Sequence, residues 1–265
     1  MTTEQKERSM RPLTIIGNWK MNGSLAANQK LLEELLSQGA KTFDALSHQM
    51  SIRVGLCVPY PYLPQTHDLL KNSKVALGAQ DVSDHSNGAY TGDVSAVMLQ
   101  EFGCQYVIVG HSERRQYHQE GDGLVARKAK ASLQAKMTPI ICVGETEQEH
   151  DDGKTLVVVR RQMQAVIDLL QGQIASCIIA YEPVWAIGTG KVPTPAQAQD
   201  VHRELRLQLA TFDAEAASHV AILYGGSLKA DNAKDLLAMP DIDGGLVGGA
   251  SLDAQEFLAL CQASI

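Results

Sequence analysis

The chain has 265 residues, of which 45% are hydrophobic, and its 23 basic and 30 acidic side chains give a formal net charge of −7. This length suits a single (β/α)₈ barrel, and the apolar content is enough for a large core. The negative charge argues against a nucleic acid or an anionic membrane as partner. An anionic ligand would have to be bound locally, by one or two cations and by backbone amides.

The five cysteines are odd in number, scattered and mostly inside apolar runs. We expect free, buried thiols in a reducing compartment, and therefore a cytoplasmic protein. The polar start has no secretory signal, and no run approaches the ~18 apolar residues of a membrane span. We expect residues 1–9 to be a disordered extension and residues 10–265 to form one catalytic domain.

Eight short, β-branched runs recur along the chain, and each is apolar at successive positions. Strands that are covered on both faces show this pattern. The runs are residues 13–17, 53–58, 75–78, 106–110, 139–143, 177–181, 220–224 and 245–247.

Amphipathic segments separate these runs and predict helices. The clearest apolar stripe, at a spacing of three to four residues, joins Val159, Met163, Val166, Ile167 and Leu170. A later stripe follows Thr194, Pro195 and Gln197, which is the pattern of a helix capping box.

The alternation of strands and helices predicts a parallel sheet with right-handed crossovers. An open, doubly wound sheet is the alternative. Eight units, without an early Gly-x-Gly-x-x-Gly motif, favour the closed α/β barrel in a single domain.

Active sites of such barrels form at the carboxyl ends of the strands, so the residues that follow each run are the candidates. Glu182 follows the sixth run, and Pro183 holds it in an extended conformation. Residues 183–191 then form an apolar segment closed by Gly188 and Gly190, a composition typical of a loop that moves as a unit. The other candidates are Asn18 and Lys20, His111 with Ser112 and Glu113, Ser227 after a glycine pair, and Gly248 with Gly249.

Each candidate also has an ordinary explanation. A glutamate at a strand end is usually a solvated charge, a lysine a surface cation, a histidine a structural hydrogen-bonding group, and a glycine pair a plain turn. In a closed barrel, however, all of them converge on one mouth with complementary chemistry, which favours a functional interpretation.

The glycines after the seventh and eighth runs indicate a phosphate site. Backbone without side chains can approach a ligand and direct its N–H groups at it, and the last two strands are where barrels bind phosphate. Glu182, His111 and Lys20 then suit proton abstraction next to a carbonyl, with Glu182 as base, His111 as hydrogen-bond donor and Lys20 stabilising negative charge. Because His111 precedes a predicted helix, we expect a neutral imidazole. Cysteine and histidine spacings predict no metal site.

Five segments, residues 17–23, 109–115, 180–191, 224–227 and 245–251, together resemble the triosephosphate isomerase family. The resemblance covers nearly the whole chain. It implies interconversion of dihydroxyacetone phosphate and D-glyceraldehyde 3-phosphate, without a cofactor, in glycolysis and gluconeogenesis. The family is a standard example of a glutamate base and a neutral histidine under a closing loop, so these roles are already established for it.

The resemblance also assigns roles to individual residues. Glu182 is the base, His111 polarises the carbonyl, and Asn18 and Lys20 line the substrate site. The amide of Gly188, with Ser227, Gly248 and Gly249, binds the phosphate. Ser112 and Glu113 support the site from behind, Glu113 by orienting Lys20, and Tyr224 latches the closed loop.

The resemblance further implies a homodimer, formed through the long polar loop of residues 81–92. Thr91 would reach the neighbouring subunit's site. Two alternatives remain from the residues themselves: another phosphate-binding barrel enzyme, such as a Schiff-base aldolase or a biosynthetic isomerase, and a non-catalytic barrel that serves protein interactions.

Overall fold

The computed structural model describes residues 11–49, 52–187 and 191–263, and the prediction for residues 1–9 lies outside them. Within these ranges the chain forms a closed barrel of eight parallel strands in sequential order, as predicted. The strands are β1 Thr14–Asn18, β2 Arg53–Val58, β3 Val75–Ala79, β4 Tyr106–Val109, β5 Thr138–Val143, β6 Ile178–Tyr181, β7 Ile222–Tyr224 and β8 Gly244–Val247.

Helices follow the strands and surround the barrel. The α-helices are α1 Leu25–Gln49, α2 Leu63–Leu70, α3 Ala96–Glu101, α4 Ser112–Tyr117, α5 Asp122–Gln134, α6 Glu147–Asp151, α7 Thr155–Leu170, α8 Pro195–Phe212, α9 Ala214–His219, α10 Ala230–Leu237 and α11 Ala254–Ala263. Short 3₁₀ turns span Tyr60–Tyr62, Gln171–Ser176, Val184–Ala186 and Gly249–Leu252. No helix in this part of the chain is long and apolar enough to cross a membrane.

Two apolar layers explain why polar and apolar residues do not alternate along the strands. One cluster fills the barrel interior and includes Ile16, Ile108, Ile178 and Leu246. The other lies between the strands and the helices, where the predicted α7 stripe is buried. Each strand therefore buries both faces, which is the physical reason for its continuous apolar run.

The sequence did not predict the short helices α6 and α9. α8 ends just before Asp213, and Asp213 is also the N-cap of α9. Its carboxylate accepts hydrogen bonds from the amides of Glu215 and Ala216. At α6, Thr146 and Glu149 form a capping box. Both helices depend on a local N-cap. They are too short to show an apolar periodicity, so the hydrophobic pattern does not predict them.

The predicted capping box at the start of α8 is confirmed. The Gln197 amide donates to Thr194 Oγ1 at 3.2 Å, and the Thr194 amide donates to Gln197 Oε1 at 2.9 Å. Pro195 occupies the first turn, where no amide hydrogen is needed.

Thr194→Ala should lower the free energy of unfolding by about 1 kcal/mol, because the Gln197 amide in the first turn of α8 loses its hydrogen-bond partner. Urea denaturation at a fixed protein concentration measures this change. The control is Thr211→Ala near the end of the same helix, where the hydroxyl donates only to the Leu207 carbonyl. A loss no larger in Thr194→Ala than in this control would contradict the assigned role of the cap.

Candidate active site

A cavity of about 500 Å³ opens at the carboxyl end of the barrel. Seven of the residues that the sequence singled out line it, and they come from five different strand ends. These are Asn18, Lys20, His111, Glu182, Ser227, Gly248 and Gly249. Gly188 lies outside the described residues, whereas Ser112, Glu113 and Tyr224 lie next to the lining residues.

The backbone around Glu182 is fixed by close contact with the ends of β5 and β7. The Glu182 amide donates to the Val143 carbonyl at 2.8 Å. A Cβ on Gly144 would lie 1.8 Å from the Glu182 carbonyl oxygen, and one on Gly225 would lie 2.8 Å from Glu182 Cγ. Both positions therefore require glycine, because any side chain would displace Glu182.

The Glu182 side chain is 2% exposed and forms two hydrogen bonds with the residues that follow β4. The Ser112 amide donates to Oε2 at 2.9 Å, and His111 Nε2 lies 2.8 Å from Oε1. The carboxylate of one strand end thus meets the imidazole of another inside the cavity.

These contacts set the protonation of Glu182. Burial alone would raise its pKa, but His111, the Ser112 amide and the charge of Lys20 together hold the pKa below the ordinary value for glutamate. Glu182 is therefore an ionised carboxylate at neutral pH, in the form that can accept a proton.

The other ring nitrogen of His111 determines its tautomer. His111 caps α4, and its Nδ1 accepts the Glu113 amide at 3.2 Å. Burial lowers the pKa of His111, but the Glu182 carboxylate more than offsets this, so the pKa lies above its ordinary value. The raised pKa favours the protonated ring and so opposes the neutral imidazole expected from the sequence. The amide contact favours the neutral ring, because Nδ1 must keep its lone pair to accept the Glu113 amide while Nε2 donates to Glu182.

Lys20 adopts a left-handed backbone conformation, with φ of 52°, which is uncommon for a residue with a side chain. The Asn18 side chain accepts the Lys20 amide at 3.0 Å, and the Gln80 side chain donates to the Lys20 carbonyl at 3.0 Å. The Lys20 Nζ atom lies 2.6 Å from Glu113 Oε1. Two amide side chains therefore hold the strained backbone, and one carboxylate orients the ammonium group.

The wall of the cavity formed after β7 and β8 includes four glycines, Gly225, Gly226, Gly248 and Gly249. The Asn232 side chain donates to the Ser227 carbonyl at 3.0 Å, and the Ser251 hydroxyl donates to the Gly248 carbonyl at 2.7 Å. A Cβ on Gly248 would lie 3.5 Å from Lys20 Cε, so this wall lies beside the lysine. Tyr224 is fully buried, and its hydroxyl has no hydrogen-bond partner among the described residues.

Sequence reasoning missed two residues that support the site. The side-chain amide nitrogen of Gln80 donates hydrogen bonds to the carbonyls of both Lys20 and Cys57. Glu145, at the end of β5, has a fully buried carboxylate that accepts the Tyr181 hydroxyl and the Trp185 indole. Both residues follow an apolar strand, and this position is the feature of the sequence that could have identified them. Their hydrogen-bond partners are distant in sequence, so the sequence does not reveal their role.

Within the described ranges, no group of three or more histidine, cysteine, aspartate or glutamate side chains is arranged to hold a metal ion. The cavity instead combines an ionised carboxylate, an imidazole, an ammonium group and free backbone. A closed parallel barrel with these groups at its carboxyl end is a (β/α)₈-barrel enzyme of the acid–base type.

Comparison with known proteins identifies the family within this class. The family described as triosephosphate isomerase matches residues 13–264. A protein named triosephosphate isomerase from Polynucleobacter asymbioticus is 56% identical over 96% of this chain and 100% of its own length. Proteins of the same name from Bordetella pertussis and Paracidovorax citrulli are 52% and 56% identical, covering 99% and 94% of this chain and 100% and 97% of their own. The chain belongs to the triosephosphate isomerase family.

The low pKa of Glu182 predicts that this carboxyl stays ionised to a lower pH than an exposed glutamate, whose pKa is about 4.3. Carbon-13 NMR titration of the carboxyl carbons measures it, with the Glu182 signal assigned from Glu182→Gln. Lys20→Met should move the midpoint upward, because a nearby positive charge is lost. A wild-type midpoint above that of the exposed glutamates would contradict the description of the site.

Proposed function

We propose that this chain interconverts dihydroxyacetone phosphate and D-glyceraldehyde 3-phosphate by moving a proton between C1 and C2 through an enediolate. The observation that carries the proposal is the contact between the Glu182 carboxylate and His111 Nε2 at 2.8 Å, inside a cavity that glycine residues also line. Membership of the family supports the same reaction.

Glu182 is the base in this proposal. General-base catalysis contributes about 10²–10⁴, or roughly 3–5 kcal/mol, whereas enzymes lower the barrier by about 8–23 kcal/mol. The remainder must come from positioning and from electrostatic stabilisation of the enediolate. The neighbours of Glu182 are suited to both tasks.

His111 and Lys20 stabilise the charge that develops on the substrate oxygens. In the absence of substrate, the Nε2 proton of His111 is directed at Glu182. A substrate carbonyl oxygen placed beside the ring would accept this proton in a hydrogen bond, and a neutral donor of this kind can relay protons between the two oxygens. Lys20 supplies the positive charge, and Asn18 fixes its backbone.

The phosphate group occupies the glycine wall. Ser227, Gly248 and Gly249 line the cavity and present backbone to it, and Gly188 would add its amide from the loop of residues 183–191. The Tyr224 hydroxyl is available to hold that loop when it closes, since no described residue bonds to it. A closed loop would keep water from the enediolate and so limit the loss of phosphate.

A homodimer is the second part of the proposal. The loop of residues 81–92 is ordered by its own contacts: Ser83 donates to Asp93 at 2.7 Å, and His85 stacks on Tyr90 with ring centres 3.8 Å apart. A second cavity of about 580 Å³ adjoins the first and includes Lys20, His111 and Tyr117 in its lining. In the proposed dimer, the loop of residues 81–92 of a second copy, with Thr91, occupies this cavity. This site also contains Met21, whose side chain is 96% exposed in the single chain.

The proposal includes a cytoplasmic location, with which five free and buried cysteines agree. The main rival reaction is that of a Schiff-base aldolase, which would use Lys20 as a nucleophile. The ion pair with Glu113 engages the amino group of this lysine and argues against that role. Borohydride added with substrate should trap no covalent adduct on Lys20, and a trapped adduct would favour the aldolase.

Glu182→Asp should lower kcat by about 10²-fold, because the shorter side chain withdraws the base by about 1 Å, and should change KM far less. A coupled assay that starts from glyceraldehyde 3-phosphate measures both. Glu256→Asp is the matched control, since it makes the same change in an exposed residue on the cavity wall and should leave kcat within about twofold. Unchanged turnover in Glu182→Asp would contradict the assigned base, and an inactive wild type would contradict the function.

Met21→Arg should dissociate the homodimer, because the new charge would be buried at the proposed interface without a partner. Sedimentation velocity gives the mass. Val157→Arg alters an exposed apolar side chain on α7, away from the second cavity, and should remain dimeric. A monomeric wild type, or a dimer that tolerates Met21→Arg as well as Val157→Arg, would overturn this interface.

A further inference from the structure

Glu145 and its neighbours form a polar cluster that the reaction does not use. The Glu145 carboxylate is fully buried and does not line the substrate cavity. One oxygen, Oε1, accepts the Trp185 indole at 2.7 Å, the Tyr181 hydroxyl at 3.1 Å and the Thr155 hydroxyl at 3.2 Å. Three donors from three segments of the chain therefore converge on one atom.

His150, at the end of α6, covers this cluster from the outside. Its ring stacks on the Trp185 indole with centres 4.2 Å apart and planes inclined by 22°. Its Nδ1 lies 3.5 Å from Glu145 Oε1 and 3.4 Å from the Thr155 hydroxyl. Trp185 is thus fixed at its edge by Glu145 and on its face by His150.

The indole lies three residues after the catalytic carboxylate, in the 3₁₀ turn Val184–Ala186. The Val184 amide donates to the Glu145 carbonyl at 3.2 Å, and the Glu182 amide donates to the Val143 carbonyl at 2.8 Å. The backbone on both sides of Glu182 is therefore hydrogen-bonded to the residues at the end of β5. The Trp185 side chain adds a further bond from the 3₁₀ turn to Glu145.

We propose that His150 is a positioning residue for Glu182, which acts by stacking on Trp185 and so holding the turn that follows the base. The inference rests on the proposed function only where the test measures kcat and KM, whereas the fluorescence measurement does not depend on it. The aromatic face is the part of His150 that matters, since stacked rings constrain the orientation of an indole more than its hydrogen bond does alone. A small displacement of a base costs a large factor in rate, so the effect falls on kcat.

The side chain of His150 is 37% exposed, so its removal leaves no closed cavity and should change global stability little. Three variants separate the possible roles: His150→Ala removes the ring, His150→Gln keeps a polar group without a ring, and His150→Phe keeps a ring without polar atoms. Gln148→Ala is the matched control, because it alters an exposed side chain on the same helix whose described partner is Asp152.

The experiment measures kcat, KM and acrylamide quenching of tryptophan fluorescence in each variant. Trp19 and Trp185 are the two tryptophans of the chain, and Trp185→Phe identifies the contribution of each. We expect His150→Ala and His150→Gln to lower kcat about three- to tenfold, to change KM less than twofold and to increase quenching of Trp185. His150→Phe and Gln148→Ala should remain within twofold of wild type in kcat and show wild-type quenching.

Wild-type kcat and quenching in His150→Ala would overturn the inference, and so would restoration of both by His150→Gln but not by His150→Phe. A lack of isomerase activity in the wild type would instead contradict the proposed function. The quenching series would then still show whether His150 restrains Trp185.

Discussion

The active site depends on one contact between strand ends that are distant in sequence, the meeting of Glu182 with the residues that follow β4. A carboxylate that is 2% exposed is costly unless donors surround it, and here the Ser112 amide and the His111 ring provide them. The same bonds hold the pKa of Glu182 below its ordinary value and pair His111 Nε2 with the carboxylate. Barrel closure is what brings β4 and β6 close enough for this contact.

The charge of the protein explains the remaining arrangement. A chain of net charge −7 would repel a triose phosphate at long range, so affinity must come from short-range groups. In the proposed function, the glycines after β7 and β8 offer amides without side chains, and Lys20 adds a local positive charge beside them. Lys20 holds a strained backbone conformation because Asn18 accepts its amide and Gln80 donates to its carbonyl. The strained residue and the glycines therefore lie at the cavity where we propose that the substrate binds.

Much of this arrangement could be predicted from local sequence. Strands that bury both faces are continuous apolar runs, and the Thr194 capping box needs only neighbouring residues, so both were predicted within one or two positions. The residues at the strand ends followed from barrel geometry, because the carboxyl ends of parallel strands meet at one face. Glu145 and Gln80 could not be found in this way. Each looks like an ordinary polar residue after a strand, and its role is defined by partners 23 to 60 residues away.

The central claim is that the Glu182 carboxylate removes a proton from carbon in a sugar phosphate whose phosphate group is bound by backbone amides. Incorporation of deuterium from the solvent into the sugar phosphate tests the proton transfer most directly. The wild-type enzyme would convert dihydroxyacetone phosphate in D₂O, and proton NMR would follow the hydrogens on C1 and C2. Proton transfer through Glu182 predicts that deuterium from the solvent appears at the reacting carbon of product and recovered substrate, because the carboxylate exchanges its proton with water. Complete retention of the original hydrogen in the product would indicate hydride transfer and contradict the account.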